Sequence, residues 1–577
     1  MKPKITNEAQ QREKLSYWKN SGEEPLKNWK ISDIIKEATE KYPNRDAICA
    51  FGGSRLTYGE SFEKIESLAK GLLALGLNKG DHVGIWAPNI VEWYISFLAI
   101  IRAGLVAVNL NPLYECPEIE LALKKSQVKV LIMGESLNER NYYQMFEKLM
   151  PEIAGHDFTK SINCSRLPHL KILISITASH LKGAYRWIDI LSMGTSEYKT
   201  KLDQMEAETN VHDICNIQFT SGTTGTMKGA MLSHFNVINN SYFTSKRMLL
   251  REKHHTICLQ VPFFHTFGTV LGILVAIQSG ATIVLPSLKF SPSKSIDAII
   301  KEKCTVVYGT PTMFTDLITV TRKRLPNDPS IYKKLSSLEL ALTSGAYCTP
   351  ELFKEMKKVF NFKRIQSGYG MTEVSPIAFY SQPDDSMEVA TTTVGYPLDH
   401  VEIKVIDEND RLVPFGTPGE CCFKGFGVMR GYFNDPEMTR KAFLNNEWIR
   451  SGDRFILLEN GYGQIVGRIK DTINRGGENI EPVDIENVLA AHPDVESVQV
   501  YAVSDERLGE VVACSLVKYE NSKLDEAALR KFCEGKLASY KIPKYIRFVN
   551  DYPRTATGKI QKYRLREMLE KELNLFK

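Results

Sequence analysis

No stretch of this 577-residue chain reaches the roughly 18 consecutive apolar residues that a membrane-spanning helix needs. The nearest, Gly268 to Leu285, is interrupted by Gln278-Ser279-Gly280 and predicts a buried helix running into a strand. The first twenty residues lack an apolar core, so a secretion signal is not expected. They also carry Glu8 and Glu13 with few hydroxyls, which speaks against a mitochondrial presequence, and Asn574-Leu575-Phe576-Lys577 is not the S-K-L peroxisomal signal. Eleven cysteines contain no C-x-x-C pair, and the adjacent Cys421-Cys422 suits neither a zinc site nor an easy disulfide. They read as reduced thiols of an intracellular protein. A net charge of +5 at this length gives no general case for a nucleic-acid partner. The nucleotide loop G-x-x-x-x-G-K-[ST] is missing as well.

What is present is a different glycine loop. Thr220 to Gly229 reads TSGTTGTMKG and follows the apolar run Ile214 to Phe219, which predicts a strand. Glycines let successive backbone N–H groups converge on one anion, the hydroxyls add short donors, and Lys228 adds a point charge suited to phosphate. A helix predicted from about Ser233 to Leu250 would place this loop at a strand-to-helix turn, where the helix N-terminus adds its own attraction for phosphate.

Upstream, residues 1 to about 30 read as an irregular lead-in, and Ser32 as the cap of a helix through Lys41. Strands and amphipathic helices then alternate, as in His82 to Trp86 followed by Val91 to Ala103, which predicts α/β layers around a largely parallel sheet. Further strands end in Gly309-Thr310-Pro311, Thr343-Ser344-Gly345-Ala346 and Gly368-Tyr369-Gly370-Met371-Thr372-Glu373. Ligands of open parallel sheets sit at strand carboxyl ends, so a cluster of such loops favours a site over plain turn chemistry. His265, within Pro262-Phe263-Phe264-His265-Thr266-Phe267-Gly268, fits a pocket wall and ordinary core equally well. From Val401 the pattern becomes antiparallel, and a small domain of helices and strands completes the chain. Residues 541–577 hold ten Lys/Arg against four Asp/Glu, which suits either a solvated face or a phosphate-rich ligand.

Taken in order, TSGTTGTMKG, PFFHTFG, YGTPTMF, TSGAY, GYGMTE, RSGD, GRIKDTINRGGENIEP and PRTATGKIQK resemble the adenylate-forming (ANL) superfamily over about residues 30–565. Among its acyl-CoA synthetases, the wording is most similar to the medium-chain, family-member-2 type. The resemblance implies an α/β chain in three parts: the lead-in (1–30), a large AMP-binding domain of layered α/β subdomains plus a β-rich subdomain (31–469), and a small mobile α+β domain (470–577). It implies ATP, Mg²⁺ and CoA as ligands.

Residue by residue, it implies that Thr220, Ser221, Gly222, Thr223, Thr224, Gly225 and Lys228 hold the β and γ phosphates of ATP. Ser344, Gly345, Ala346 and Tyr369 would form the adenine slot, Thr372 would contact the α-phosphate, and Glu373 would hold Mg²⁺. Asp453 would take the ribose hydroxyls with Arg468 nearby, and His265 would line the passage from acyl chain to pantetheine. Lys559 would reach the substrate carboxylate and α-phosphate, Lys470 would be the hinge, and Gly477 would meet the pantetheine tunnel. Two residues depart from the family pattern. Met227 stands where proline is usual before the lysine, which should loosen the loop, and Glu481 stands where tyrosine is common. The implied reaction is ATP-dependent ligation of a fatty acid, medium-chain by resemblance, to CoA, with mitochondrial placement from the same resemblance and cytoplasmic as its alternative. An aryl-CoA (coumarate-type) or luciferase-like adenylating enzyme is the alternative chemistry, and a nucleotide-binding pseudoenzyme the non-enzymatic one. The intact Glu373, Asp453, Arg468 and Lys559 argue against the last.

Overall fold

Short aliphatic runs bounded by glycine or polar turns form two large sheets in the computed structural model, which describes residues 14–221, 227–346, 348–476, 478–555 and 558–573. Among these residues one sheet has seven strands, ordered Tyr185–Arg186, Ile172–Ser175, Val130–Met133, His82–Trp86, Val106–Asn109, Ile214–Ser221 and Met227–Ser233. All its neighbours run parallel except the last pair. A nine-stranded sheet carries a parallel centre in which Thr282–Leu285, Thr256–Leu259, Val306–Gly309, Leu340–Ser344 and Arg364–Gly370 lie side by side. Parallel strands covered on both faces need no polar alternation, which explains apolar runs such as the fully buried Val130–Met133. The helix Val91–Arg102, buried along its whole length, packs on strands of both sheets.

A third sheet is antiparallel and contains Val401–Ile406, Gly419–Gly425, Trp448–Leu457 and Gly463–Arg468. Its edge corrects one expectation. The lead-in is not irregular throughout, because Tyr17–Lys19 pairs with Val401–Ile406 and the Trp18 indole donates to the Tyr396 hydroxyl at 2.9 Å. Three residues are too few to display a strand period. Ser32, expected as a helix cap, is instead buried in the first turn of Ile31–Lys41, whose cap position is Lys30.

The larger correction concerns the glycine loop. Ile214–Ser221 and Met227–Ser233 pair antiparallel, with Thr220 opposite Lys228 and Ser221 opposite Met227, so the loop joins two strands of a hairpin. The helix begins only at His234, after the returning strand, and its N-terminus is not at the loop. Glycine and lysine in MKGAMLS mask that strand's alternation.

The helix His234–Arg247 is the internal tie of the large domain, and its buried polar side chains bond to neighbouring backbone. Asn236 donates to Phe426 O, Asn239 to Lys27 O at 3.0 Å, Asn240 to Ile377 O at 2.8 Å, and Arg247 to Tyr396 O at 2.8 Å. Buried polar groups are tolerated when so paired.

The C-terminal unit has its own sheet, built around the antiparallel pair Val495–Asp505 and Gly509–Lys518, and its own apolar clusters. It docks against the helix Pro311–Arg324. A Cβ at Gly558 would lie 3.5 Å from the Thr310 hydroxyl, and Lys323 Nζ is 3.5 Å from Glu520. Asp316 on the same helix lies within electrostatic reach of Arg554, Asp551 and Glu496, and burial pushes its carboxyl up to about 6.

Asn240→Ala should lower the stability of the large domain by about 2 kcal/mol, because it strands buried carbonyls of the 374–377 segment without a donor. Denaturant titration checks this, and a loss below about 0.5 kcal/mol would mean the tie carries no stability.

Candidate active site

Three of the loops singled out by composition, together with the segment that carries His265, meet at one edge. The strands ending at Leu259, Gly309, Ser344 and Gly370 are consecutive neighbours in the nine-stranded sheet and run parallel, so their carboxyl ends lie side by side along one edge of the sheet. Opposite Gly309 stands Thr343, and opposite Ser344 stands Gly368, which brings the second and third loops level with the Gly368–Glu373 segment. Ser344 donates its hydroxyl to Gly368 O at 2.8 Å, while Gly345 and Ala346 stay exposed. Gly345 has φ +87°, a conformation that a side chain would strain.

Tyr369 is buried, and its ring stacks near Phe455 with centroids 5.6 Å apart. Its hydroxyl donates to Asp453 Oδ2 at 2.7 Å. Asp453 Oδ1 takes Arg468 Nε at 2.8 Å, and the two residues are register partners on adjacent antiparallel strands. The antiparallel sheet therefore delivers a carboxylate to the tyrosine of the parallel one, and the tyrosine's ionisation is pushed far up by burial and by that carboxylate.

Thr372 and Glu373 follow on a short 3₁₀ turn. Glu373 Oε1 accepts from the Tyr432 hydroxyl at 2.7 Å, and Lys228 Nζ lies 5.2 Å from the centre of the same ring. Tyr432 thus spans the base of the glycine loop and the expected metal carboxylate. Composition did not single it out. The available signal was the glycine spacing of Gly425, Gly427 and Gly431 just before it. Met227 begins the returning strand, and its carbonyl accepts Lys125 Nζ at 2.8 Å, with Asp435 3.1 Å from the same amine. Gly222, Thr223, Thr224 and Gly225 lie outside the described residues, as do Gly477 and the Ser221 side chain.

His265 caps the helical segment that begins at Thr266, its Nδ1 accepting from Phe267 N at 3.1 Å. Burial, with the Lys559 charge second, pulls its imidazole down to about 4, so it is neutral at physiological pH. Lys559 comes from the small domain, in a turn where Thr555 N donates to Lys559 O at 2.7 Å and Gly558 has φ +81°. It is exposed by surface area, although protein crowds its neighbourhood. Loss of hydration is the first cause that lowers its amine to about 8. Arg468 and Lys470 lower it further, and Asp453 and Asp471 oppose them. Lys559, Asp453, Arg468 and His265 therefore share one electrostatic neighbourhood, assembled from both domains. Lys470 sits exposed on the 3₁₀ turn Ile469–Asp471, between the last strand of the large domain and the first of the small one. Much of the basic C-terminal run is simply paired: Lys541 with Asp484, Lys544 with Asp505, Lys562 with Glu486 and Arg566 with Glu570.

Among the described residues no group of three His, Cys, Asp or Glu could hold a metal by itself. A lone Glu373 fits Mg²⁺, which characteristically takes one or two carboxylates and completes its shell with substrate phosphates and water.

A model of the AMP-binding enzyme family matches residues 35–433, and a model of the AMP-binding enzyme C-terminal domain matches residues 484–559. The chain is 39% identical over 564 residues to the medium-chain acyl-CoA ligase ACSF2, mitochondrial, of Danio rerio, covering 97% of this chain and 91% of that one. ATP-bound MatB from Rhodopseudomonas palustris superposes with a TM-score of 0.78 at 25% identity, covering 94% of this chain and 99% of that one. The anthranilate CoA ligase AuaEII, in complex with anthranoyl-AMP, gives a TM-score of 0.80 at 26% identity over 94% of this chain and 98% of that one.

In the ligand-free enzyme, kcat/KM for ATP should fall as pH rises through about 8, because Lys559 loses its proton there and the cleft loses a cation. A pyrophosphate-exchange profile from pH 7 to 10 reads this. A flat profile across that range would mean that Lys559 keeps an ordinary amine.

Proposed function

The chain belongs to the AMP-binding enzyme family, and from that we propose that it is an AMP-forming acid–thiol ligase that converts a medium-chain fatty acid to its acyl-CoA. The observation that carries the reading is the convergence of Lys559 from one domain on Asp453 and Arg468 of the other, where Asp453 also holds Tyr369. The chain length rests on the ACSF2 relative, and mitochondrial placement on the same name.

The chemistry follows from charge. A carboxylate must attack the α-phosphorus of ATP, two anions approaching while charge grows on the phosphoryl oxygens. The acid's oxygen bonds to phosphorus, pyrophosphate leaves, and an acyl-adenylate results. Lys559 stabilises the charge that develops, more in the transition state than in the ground state. Asp453 takes the ribose hydroxyls, with Arg468 exchanging part of its ion pair for the nucleotide, and the residues at 344–346 and Tyr369 bound the adenine. Lys228 and the glycine loop take the outgoing phosphates. Bound Mg²⁺ would neutralise phosphate charge, with Glu373 as its protein ligand and Tyr432 fixing that carboxylate's orientation. The CoA thiol then attacks the acyl carbonyl and AMP leaves. A neutral His265 lets the apolar chain and the thiol pass without an added charge in the passage.

Lys559 belongs to the first step alone. A small domain of residues 470–577, turning about Lys470, removes it and opens the thiol's route. Interface ion pairs such as Lys323–Glu520 and Arg454–Glu481 are compatible with such undocking.

Formation of AMP and thioester should be measured with free acids from acetate to palmitate plus benzoate and coumarate. A maximum at medium chain lengths, reduced about 100-fold by Lys559→Ala, is expected. Turnover confined to the aromatic acids would replace the fatty substrate by an aryl one, as in the anthranilate ligase. ATP binding without turnover of any acid would contradict the ligase reading.

A further inference from the structure

The carboxylate that departs from the family pattern near the hinge occupies a joint between the two domains. Glu481 is the cap residue of the helix Pro482–Ala490 in the small domain. Its Oε1 accepts Arg454 Nη1 at 2.7 Å, and Arg454 lies on Trp448–Leu457 of the large domain. Thr472, two residues past Lys470, places its hydroxyl 3.2 and 3.3 Å from the two carboxylate oxygens. Gly467, the strand partner of Arg454, makes the space: a Cβ there would stand only 2.5 Å from Glu481 Oε2. The carboxylate is thus inserted between the strand that precedes the hinge and the segment that follows it. Its side chain is 8% exposed against 32% for Arg454, so the pair is partly shielded from water, where a charge-assisted bond outweighs a surface one.

Arg454 and Gly467, which meet Glu481 from before the hinge, belong to the large domain, and the carboxylate itself belongs to the small one. Rotation about Lys470 separates Arg454 from Glu481, whereas Thr472 travels with it. Burial raises the Glu481 carboxyl above its usual range and outweighs the opposing Arg454 and Thr472, so the docked joint holds this charge at a desolvation cost, and only the bonds from Arg454 and Thr472 offset it there; a turned-away domain would leave the arginine without this partner.

We infer that Glu481 is a positioning residue for the adenylation step: with Arg454 it latches the small domain in the orientation that puts Lys559 in the cleft, and its release sets part of the barrier to the thioester step. The inference rests on the two-step reading above and goes beyond it by naming the contact that biases the two orientations. A tyrosine side chain at this position would offer no charge to Arg454, so the chain as it stands should favour the docked orientation more than its Glu481→Tyr variant does.

The test separates the half-reactions in single-turnover mode, with Glu481→Gln, Arg454→Gln and the double variant. Pyrophosphate release from acid and ATP reads the first step. Thioester formation from preformed acyl-adenylate and CoA reads the second. Each single variant should slow the first step about three- to tenfold and leave the second unchanged or faster, and the double variant should be no worse than either single one. Equal loss in both steps would reduce Glu481 to general stability, and no loss in either, or additive loss in the double variant, would overturn the latch. A label pair, one on an exposed residue of each domain, supplies a readout that needs no turnover. Its distance distribution in the ligand-free protein should spread away from the docked value in Glu481→Gln, and an unchanged distribution would also overturn the latch. An inactive wild type with the expected spread would instead sink the ligase reading and leave the latch standing.

Discussion

Asp453 is the charge on which the cleft depends. Its carboxylate accepts from Tyr369 at 2.7 Å and from Arg468 at 2.8 Å, and it is a counterweight to a group of cations, Arg468, Lys470 and Lys559, contributed by the strand Gly463–Arg468, the turn that follows it and the small domain. Without that negative charge only Asp471 would oppose three cations that face one another across a domain boundary. With it, the cations are gathered where, on the proposed reading, a triphosphate and a carboxylate meet. On the proposed reading the same oxygens accept the ribose hydroxyls, so the group that preassembles the site would also be the one that the ligand takes over.

That arrangement explains why the lysine is not built into the large domain. A cation fixed between carboxylate and α-phosphate serves the first bond-forming step and obstructs the second, in which a thiol must reach the same carbonyl carbon. Lys559 stands on a turn held by Thr555 and Gly558, on a unit with its own apolar clusters, which under the proposed two-step reaction would let one residue act and leave. The docking surface suits this use. Along the helix Pro311–Arg324 it includes a close approach at Gly558, a long ion pair, and Asp316 near Arg554, Asp551 and Glu496. Interfaces of that kind open more readily than hydrophobic ones.

Much of this is legible in the sequence, and for physical reasons. Parallel strands covered on both faces are runs of aliphatic residues, so the pattern locates His82–Trp86 to the residue. Loops at strand ends declare themselves through Gly, Ser and Thr, so composition alone picks out Ser344–Ala346 and Gly368–Glu373, though not that their strands are neighbours. The ordered motifs then link Asp453, Arg468 and Lys559, residues that no local pattern connects. Three things stay hidden. The hairpin at the glycine loop reads as a strand-to-helix turn because Lys228 and Gly229 interrupt the period of the returning strand. Tyr432 escapes notice because a tyrosine among glycines looks like a turn, and only its 2.7 Å bond to Glu373 gives it meaning. The pairing of Glu481 is invisible because Arg454 lies 27 positions away on another domain.

The measurement that bears most directly on the account is the fate of the acid's own oxygen. A fatty acid carrying ¹⁸O in both carboxylate positions is turned over with ATP and CoA, and the nucleotide product is weighed by mass spectrometry. If the carboxylate attacks the α-phosphorus and the thiol later displaces AMP, each AMP carries one heavy oxygen and the thioester keeps the other. Heavy oxygen in inorganic phosphate, with ADP as the nucleotide product, would mean attack at the terminal phosphate and would contradict the role given to Lys559, Asp453 and the cleft between them.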